Sequence, residues 1–265
     1  MEVEINGFKM AYSEKGQGIP LLFIHGYPLN RKMWQPQLDG LSEFAHILAI
    51  DLRGHGDTQS ISGPYSMDLF ADDLNAFLDN LGIHKKIILC GLSMGGYIAF
   101  AFFRKYSLKL SAMILSATRA AADSPEARTA RDQSAKLAIN MGVEAIVEGM
   151  LPRMLSPTTI LNKPELVEQL REIMLHTSLE GVLGDLVGLK NRPDSTPTLA
   201  QIDLPVLVIA GEDDQIIPLF EVKAMHAALP SSRLVTVPEA GHLPNLENPI
   251  QFNQAIIKFL SEINE

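Results

Sequence analysis

A serine between two glycines, directly behind a short apolar run, constrains the fold of this 265-residue chain more than any other feature. The run occupies residues 87–90, and the motif that follows is Gly91-Leu92-Ser93-Met94-Gly95. Glycines two residues to either side of the serine remove the Cβ atoms that would obstruct a sharp turn from a strand into a helix. Residues 96–103 are apolar and predict a buried helix. The motif is typical of a nucleophile elbow, which presents a serine hydroxyl above the edge of a sheet.

Short apolar runs without alternation recur along the chain and predict strands that are buried on both faces, as in a parallel sheet. Residues 70–81 and 252–263 carry apolar stripes at helical spacing; Gly82 ends the first, and Asn248 with Pro249 opens the second. Strands that alternate with helices predict an α/β fold with a mostly parallel central sheet flanked by helices. The predicted strands are residues 21–24, 47–50, 87–90, 112–115, 206–210 and 234–237.

Two further segments depart from this alternation. Residues 3–5 and 9–13, split by Asn6-Gly7, predict an antiparallel hairpin at the sheet edge. Residues 119–199, named the cap segment here, carry only helical patterns and contain no Phe, Tyr or Trp. We expect the cap segment to be a helical insertion over the sheet, between two parts of one core formed by residues 1–118 and 200–265. Its methionines are expected to form its core; they are Met141, Met150, Met154 and Met174.

Composition excludes several classes of function. The formal net charge of −9 lacks the basic character of nucleic-acid binders. The single cysteine, Cys90, lies in an apolar run and is expected to be a buried small hydrophobe in a reducing compartment. No apolar stretch approaches the roughly 18 residues that span a bilayer, and the first residues lack the pattern of a signal peptide. We expect a cytoplasmic protein that binds neither nucleic acid nor membranes.

Chemically active side chains follow four of the predicted strands directly. They are His25, Ser93, the adjacent acids Asp213 and Asp214, and His242. The carboxyl ends of parallel strands open onto one edge of a sheet, so these side chains are expected to converge there. A serine hydroxyl needs a neutral imidazole to take its proton, and the imidazolium needs a carboxylate beside its other nitrogen. The candidates are Ser93 as nucleophile, His242 as base, and either aspartate as the acid.

These motifs resemble those of the α/β-hydrolase superfamily, across essentially the whole chain. Residues 25–28, 51–56, 91–96 and 211–214 with Pro218 are similar to segments of small serine esterases and 3-oxoadipate enol-lactonases. The order of nucleophile, acid and histidine is also that of the superfamily. The resemblance implies that Asp214 is the acid, with Asp213 in reserve.

The resemblance assigns roles to further residues as well. It implies an oxyanion hole formed by the backbone N–H groups of Tyr27 and Met94. It implies that His25 holds the shape of the loop that carries Tyr27. His55 lies in a tight-turn segment and is expected to be structural.

A serine nucleophile in this superfamily implies acyl transfer to water. We therefore expect hydrolysis of carboxylic esters of small to medium substrates through an acyl-Ser93 intermediate, in an aliphatic pocket under the cap segment. Enol-lactonase activity and cofactor-free perhydrolase or haloperoxidase-like activity share the same triad and remain alternatives. A ligand-sensing protein on the hydrolase fold is an alternative of another class.

Motifs for cofactors are missing from the sequence. No His-Glu-x-x-His or similar pattern predicts a metal site, and no glycine-rich phosphate loop predicts a nucleotide. We therefore expect a small-molecule ester or lactone substrate and no cofactor. Four arginines of the cap segment are candidates to bind a substrate carboxylate, although most are expected on solvated helix faces; they are Arg119, Arg128, Arg131 and Arg153.

Overall fold

The central element of the computed structural model, which describes residues 1–263, is an eight-stranded sheet in the order β1-β2-β4-β3-β5-β6-β7-β8. β1 and β2 form an antiparallel hairpin at one edge, β2 pairs antiparallel with β4, and the other neighbours are parallel. This confirms the predicted fold class. The strands are β1 (Glu2–Ile5), β2 (Phe8–Lys15), β3 (Pro20–Ile24), β4 (His46–Ile50), β5 (Ile87–Leu92), β6 (Leu110–Ser116), β7 (Val206–Gly211) and β8 (Ser232–Val237).

The helices of the core pack on both faces of this sheet and bury two apolar clusters. Both predicted stripes are helical, and the Asn248 side chain accepts a hydrogen bond from Gln251 N at 3.2 Å, as expected of an N-cap. The core helices are α1 (Gln35–Leu41), α2 (Met67–Asn80), α3 (Met94–Tyr106), α10 (Leu219–Ala228), α11 (Pro244–Glu247) and α12 (Pro249–Ile263). Cys90 is fully buried in β5.

The interval between β6 and β7 is helical. Prolines open several of its helices, because a proline lacks only an N–H that the first helical turn leaves free in any case. Its helices are α4 (Pro125–Met141), α5 (Val143–Met154), α6 (Pro157–Asn162), α7 (Pro164–Leu175), α8 (Leu179–Asn191) and α9 (Thr196–Leu199). Within the described residues, no helix is long and apolar enough to cross a membrane.

The expectation for the methionines of the cap segment is only partly correct. Met154 and Met174 are fully buried, and Met150 lines a cavity described below. The expectation is wrong for Met141, which is 68% exposed at the last position of α4. The segment's buried apolar surface combines Met154 and Met174 with a larger number of aliphatic residues of α5, α7 and α8.

A buried ion pair connects the loop after β4 to α2. Arg53 donates from Nε and Nη2 to the two carboxylate oxygens of Asp73 at 2.7 and 2.6 Å. The side chains are 8% and 0% exposed, and Asn6 donates to the same carboxylate at 2.9 Å. A bidentate ion pair of this kind holds the loop in one position relative to α2. Loss of one partner leaves the other charge buried and unpaired.

We expect Asp73→Ala to lower the free energy of unfolding by about 3–5 kcal/mol, because Arg53 is left buried without its carboxylate. Urea denaturation measures the loss. Asp79→Ala, on the same helix, is the control: its ion pair with Lys109 is half-exposed and should contribute less than about 1 kcal/mol. Equal losses in the two variants would contradict the assignment of Arg53–Asp73 as a structural link.

Candidate active site

Ser93 lies at the sharp turn between β5 and α3. Its φ of 55° and ψ of −112° are strained for a residue with a side chain, and such strain costs on the order of 1–3 kcal/mol. The turn is tight enough that a Cβ on Gly91 would lie 2.2 Å from the carbonyl oxygen of Gly95. A Cβ on Gly95 would lie 2.4 Å from the carbonyl oxygen of Ile24 in β3. Both glycines are therefore required by close backbone contact.

Hydrogen bonds from the neighbouring strand hold this strained turn. Ser93 N donates to the carbonyl oxygen of Ser116, at the end of β6, at 2.9 Å. The Thr118 hydroxyl donates to the carbonyl oxygen of Ser93 at 2.8 Å. The turn is thus anchored on the side that faces the beginning of the cap segment.

His242 and Asp214 form a buried pair. His242 Nδ1 lies 2.8 Å from Asp214 Oδ2, and the side chains are only 2% and 1% exposed. Asp214 Oδ1 accepts the backbone N–H groups of Ile216 and Ile217 at 2.8 and 2.9 Å, which fixes the carboxylate plane. Because a carboxylate only accepts hydrogen bonds, Nδ1 carries the proton and Nε2 keeps a free lone pair. Asp213, the reserve candidate, is exposed.

Glu247 is a site residue that sequence reasoning missed. Its buried carboxylate accepts the N–H groups of Gly241 and Leu243, on either side of His242, at 2.7 and 3.3 Å. It also accepts Ser156 N of the cap segment at 2.7 Å. Burial raises the pKa of Glu247, against the opposing effect of these donors. A glutamate in a short helix shortly after the histidine is the only sequence signal for this role, and it is weak.

The loop after β3, residues 25–30, lies against the turn at Ser93 and is named the Tyr27 loop. A Cβ on Gly26 would be 3.2 Å from the Ser93 Cβ. His25 is fully buried; its Nδ1 donates to the carbonyl oxygen of Gly26 at 2.9 Å, and its Nε2 accepts Leu52 N at 3.0 Å. Burial and the neighbouring His55 hold the pKa of His25 well below its usual range. His25 therefore stays neutral and shapes the loop.

Met94 lies on the other side of the serine. Its N–H is the first of α3 and has no acceptor within that helix. The positive end of the dipole of α3 is at this same end of the helix, beside the free N–H group of Met94.

A cavity of about 390 Å³ contains Ser93, His242, Tyr27 and Met94 in its wall. The cap segment supplies much of the remaining wall. Its apolar residues there are Ala127, Ala130, Leu137, Ala145, Ile146, Met150, Leu186 and Leu189.

The cavity is less apolar than the sequence suggested, because Arg119, Arg131 and Arg153 also line it. Of the four arginines considered, Arg128 alone lies on an exposed helix face outside the cavity wall. Arg153 is exposed as well, whereas Arg119 and Arg131 are half-buried, so the expectation of solvated side chains holds for two of the four. Tyr27 lines the same cavity, but its hydroxyl is buried and has no hydrogen-bond partner within residues 1–263.

Arg119 and Arg131 belong to a charged cluster at one side of the cavity. Asp123, whose side chain is fully buried, accepts from Arg131 Nε at 3.1 Å and Arg192 Nη1 at 2.5 Å. Arg119 lies 3.4 Å from Asp123 and donates to both carboxylate oxygens of Glu221 at 2.9 Å. Burial alone would raise the pKa of Asp123, but Arg131 and Arg192 outweigh it and lower that pKa. Three guanidinium groups against two carboxylates leave the cluster positive.

The order of strands, the turn at Ser93 and the buried His242–Asp214 pair agree with a family model that matches residues 21–255, described as the alpha/beta hydrolase family. The chain belongs to the α/β-hydrolase family. Its members among curated proteins and solved structures include esterases and lactonases, so the hydrolase assignment made from the sequence is confirmed at this level.

Three proteins similar to this α/β-hydrolase illustrate the activities found in the family. A thermophilic esterase from Thermogutta terrifontis, solved with malate bound, superposes with a TM-score of 0.97 at 40% identity over 100% of both chains. The enol-lactonase from Burkholderia xenovorans has a TM-score of 0.92 at 26% identity and covers 98% of this chain and 100% of its own. 3-Oxoadipate enol-lactonase 2 from Acinetobacter baylyi is 31% identical over 92% of this chain and 89% of its own.

Among residues 1–263, no group of three or more His, Cys, Asp or Glu side chains is arranged to hold a metal ion. The side chains at this site that could bind a metal are Ser93 itself, one histidine and one aspartate. The oxygens of that aspartate already accept hydrogen bonds. This set suits nucleophilic chemistry by a hydroxyl group.

We expect Glu247→Gln to lower ester turnover about tenfold and the free energy of unfolding by about 1–3 kcal/mol. The reason is that an amide has one acceptor oxygen, so in either orientation a buried N–H group of Gly241 or Ser156 faces an NH₂ group. Steady-state kinetics and urea denaturation measure the two effects. Glu239→Gln, at an exposed position of the loop that carries His242, is the control and should change neither. Unchanged turnover in Glu247→Gln would show that Glu247 does not position His242.

Proposed function

We propose that the protein is a carboxylic ester hydrolase for small to medium substrates and acts through an acyl-Ser93 intermediate. The observation that carries this proposal is the buried Nδ1–carboxylate pair of His242 and Asp214, whose imidazole lines the cavity that also contains Ser93. This pairing leaves Nε2 of the imidazole as a base inside a space closed on one side by the cap segment. The esterase with 40% identity supports the same activity.

The first half-reaction forms the acyl-enzyme. Ser93 Oγ attacks the ester carbonyl carbon while His242 Nε2 takes the hydroxyl proton. The carbonyl oxygen becomes an oxyanion, for which the N–H groups of Tyr27 and Met94 are the proposed donors. Asp214 stabilises the imidazolium through Nδ1–H. The imidazolium then protonates the leaving alkoxide, and an alcohol departs.

The second half-reaction repeats the sequence with water. His242 Nε2 takes a proton from water, which attacks the acyl carbon and forms a second tetrahedral intermediate. Its collapse breaks the bond to Ser93 Oγ, and the imidazolium returns the proton to that oxygen. A carboxylic acid leaves. In this scheme the cap segment limits the size of the acyl group and excludes bulk water from the oxyanion.

We expect Ser93→Ala to abolish hydrolysis of p-nitrophenyl esters while leaving the fold intact. Loss of the nucleophile typically costs several orders of magnitude in rate. Turnover of p-nitrophenyl acetate, butyrate and octanoate measures the loss, and circular dichroism checks the fold. A variant that keeps more than about a tenth of the wild-type rate would refute Ser93 as nucleophile.

Two adjacent aspartates provide a matched control for the same assay. Asp214→Asn should lower kcat by about 10⁴-fold, because an amide at this place favours the wrong imidazole tautomer. Asp213→Asn, one residue away and exposed, should stay within about twofold of the wild type.

The wild-type enzyme is also assayed with lactones and with hydrogen peroxide, which identify a lactonase or perhydrolase. Failure to turn over any of these would favour the ligand-sensing alternative.

The positive side of the cavity favours a second candidate, hydrolysis of an ester or lactone whose acyl part carries a carboxylate. Within residues 1–263, Arg131 engages only its Nε, with Asp123, so its terminal nitrogens remain available in the cavity wall. The malate bound to the similar esterase and the enol-lactonase relatives support an anionic substrate.

We expect Arg131→Leu to lower kcat/KM at least tenfold for the mono-p-nitrophenyl ester of succinic acid, since a charge-assisted hydrogen bond contributes about 1.5–3 kcal/mol. The neutral p-nitrophenyl butyrate, of the same chain length, should change less than threefold. Arg128→Leu, at an exposed position of the same helix, is the control for both substrates. Equal losses on the charged and neutral esters would exclude a carboxylate contact by Arg131.

A further inference from the structure

Side chains outside the Tyr27 loop hold two of its backbone carbonyl groups. His55 Nδ1 donates to the carbonyl oxygen of Leu29 at 2.8 Å. The Thr177 hydroxyl donates to the carbonyl oxygen of Pro28 at 3.0 Å. His55 comes from the loop after β4, whereas Thr177 belongs to the cap segment, directly before α8. The loop that carries one proposed oxyanion donor is therefore fixed from two parts of the chain.

His55 is in turn paired with the cap segment. Its Nε2 lies 2.8 Å from Oδ2 of Asp185, in α8, and both side chains are 0% exposed. Both ring nitrogens thus face oxygen atoms that accept, so the ring is held in one plane. Burial works against the charged imidazole, but Asp185 and the Leu29 carbonyl outweigh it and raise the pKa of His55. Helix α8 is thus connected through the imidazole of His55 to the carbonyl group of Leu29, two residues after Tyr27.

The neighbours of His55 leave it little freedom. The ring centroids of His25 and His55 are 4.7 Å apart, and His25 is bonded to Gly26 O and Leu52 N, so the two rings hold the Tyr27 loop from within and from outside. Helix α8 is also tightly docked, since a Cβ on Gly54 would lie 2.6 Å from the Cα of Gly181. Movement of α8 is therefore transmitted to Asp185 and His55 rather than absorbed by loose packing.

The same helix shapes the cavity. Leu186 and Leu189 of α8 lie in the cavity wall, one and four residues after Asp185. One rigid element thus carries both a wall of the cavity and the carboxylate that orients His55.

We propose that Asp185, acting through His55, and Thr177 are positioning residues that fix the Tyr27 N–H for the oxyanion, so that the cap segment controls turnover as well as pocket shape. This inference rests on the proposed function. It separates two effects of the cap segment, because substrate contacts of α8 act on binding, whereas the position of the Tyr27 N–H acts on the transition state.

The test compares kcat and KM on p-nitrophenyl acetate, with active enzyme counted by stoichiometric phosphonylation of Ser93. We expect Asp185→Leu to lower kcat about 10- to 100-fold with KM within twofold, since removal of one oxyanion donor costs about 10²–10³-fold and a misplaced donor costs less. Thr177→Val should lower kcat by a smaller factor. Asp185→Asn should stay within about threefold, because its amide can donate to Nε2 of a neutral His55 that still donates to Leu29.

Ser178→Ala is the matched control. The Ser178 hydroxyl donates to the carbonyl oxygen of Gly54 at 2.9 Å, a contact between α8 and the core that does not involve the Tyr27 loop. Its kcat should be that of the wild type. If Ser178→Ala loses as much kcat as Asp185→Leu, or if Asp185→Leu changes only KM, the residues merely stabilise the cap segment and the proposal is wrong.

Deuterium uptake of the peptide covering residues 25–30 tests the same link without substrate. It should rise in Asp185→Leu and Thr177→Val and remain unchanged in Ser178→Ala and Asp185→Asn. Absence of ester turnover in the wild type would overturn the proposed function, and this measurement would then still decide whether α8 holds the loop. Unchanged uptake in both Asp185→Leu and Thr177→Val would overturn the proposal.

Discussion

The close approach of backbone around Ser93 is the constraint on which the rest of the site depends. A residue with a side chain at φ 55° is held there because β3, β5 and the start of α3 meet where neither Gly91 nor Gly95 has room for a Cβ. Strain of this kind persists only where the surroundings over-determine it. The surroundings here are a fully buried parallel strand and a helix whose first residues are buried as well. The serine is therefore oriented before any substrate arrives, which is what catalysis by preorganised groups requires.

The other groups of the site are held by a different means, namely by buried carboxylates that accept backbone N–H groups or imidazoles. The N–H groups of Ile216 and Ile217 orient the Asp214 carboxylate, which in turn binds His242. Glu247 accepts N–H groups on both sides of that histidine. Charge-assisted bonds are shorter and stronger than neutral ones, so few of them suffice. Burial of such carboxylates is unfavourable without donors. Each of them consequently fixes the backbone that supplies its donors.

The sequence predicts the sheet well and makes Ser93 a candidate nucleophile, because both inferences depend on local pattern. Buried parallel strands are continuous apolar runs such as residues 206–210, and the turn at Ser93 requires glycines at fixed spacing. Ser93 and His242 line one cavity, with Asp214 beside His242, because each follows a parallel strand whose carboxyl end opens onto the same edge of the sheet. Asp185 and Glu247 carry no comparable signal, because their roles arise from partners 130 residues away or from a loop conformation that only packing defines. Helices α1 and α10 were not predicted, since their short apolar patterns do not stand out from the loops around them.

The arginines of the cap segment show where compositional reasoning fails. Absence of aromatic residues suggested an aliphatic pocket, yet Arg119 and Arg131 face the cavity because Asp123 holds them there. Their effect on an anionic substrate is local. The chain carries a formal net charge of −9, so its long-range field repels anions, and at physiological salt this field decays over about 8 Å. Arg119 and Arg131 are half-buried, and partly buried charges are screened less than exposed ones. Any selection for a carboxylate must therefore occur on contact within the cavity, after the substrate has entered.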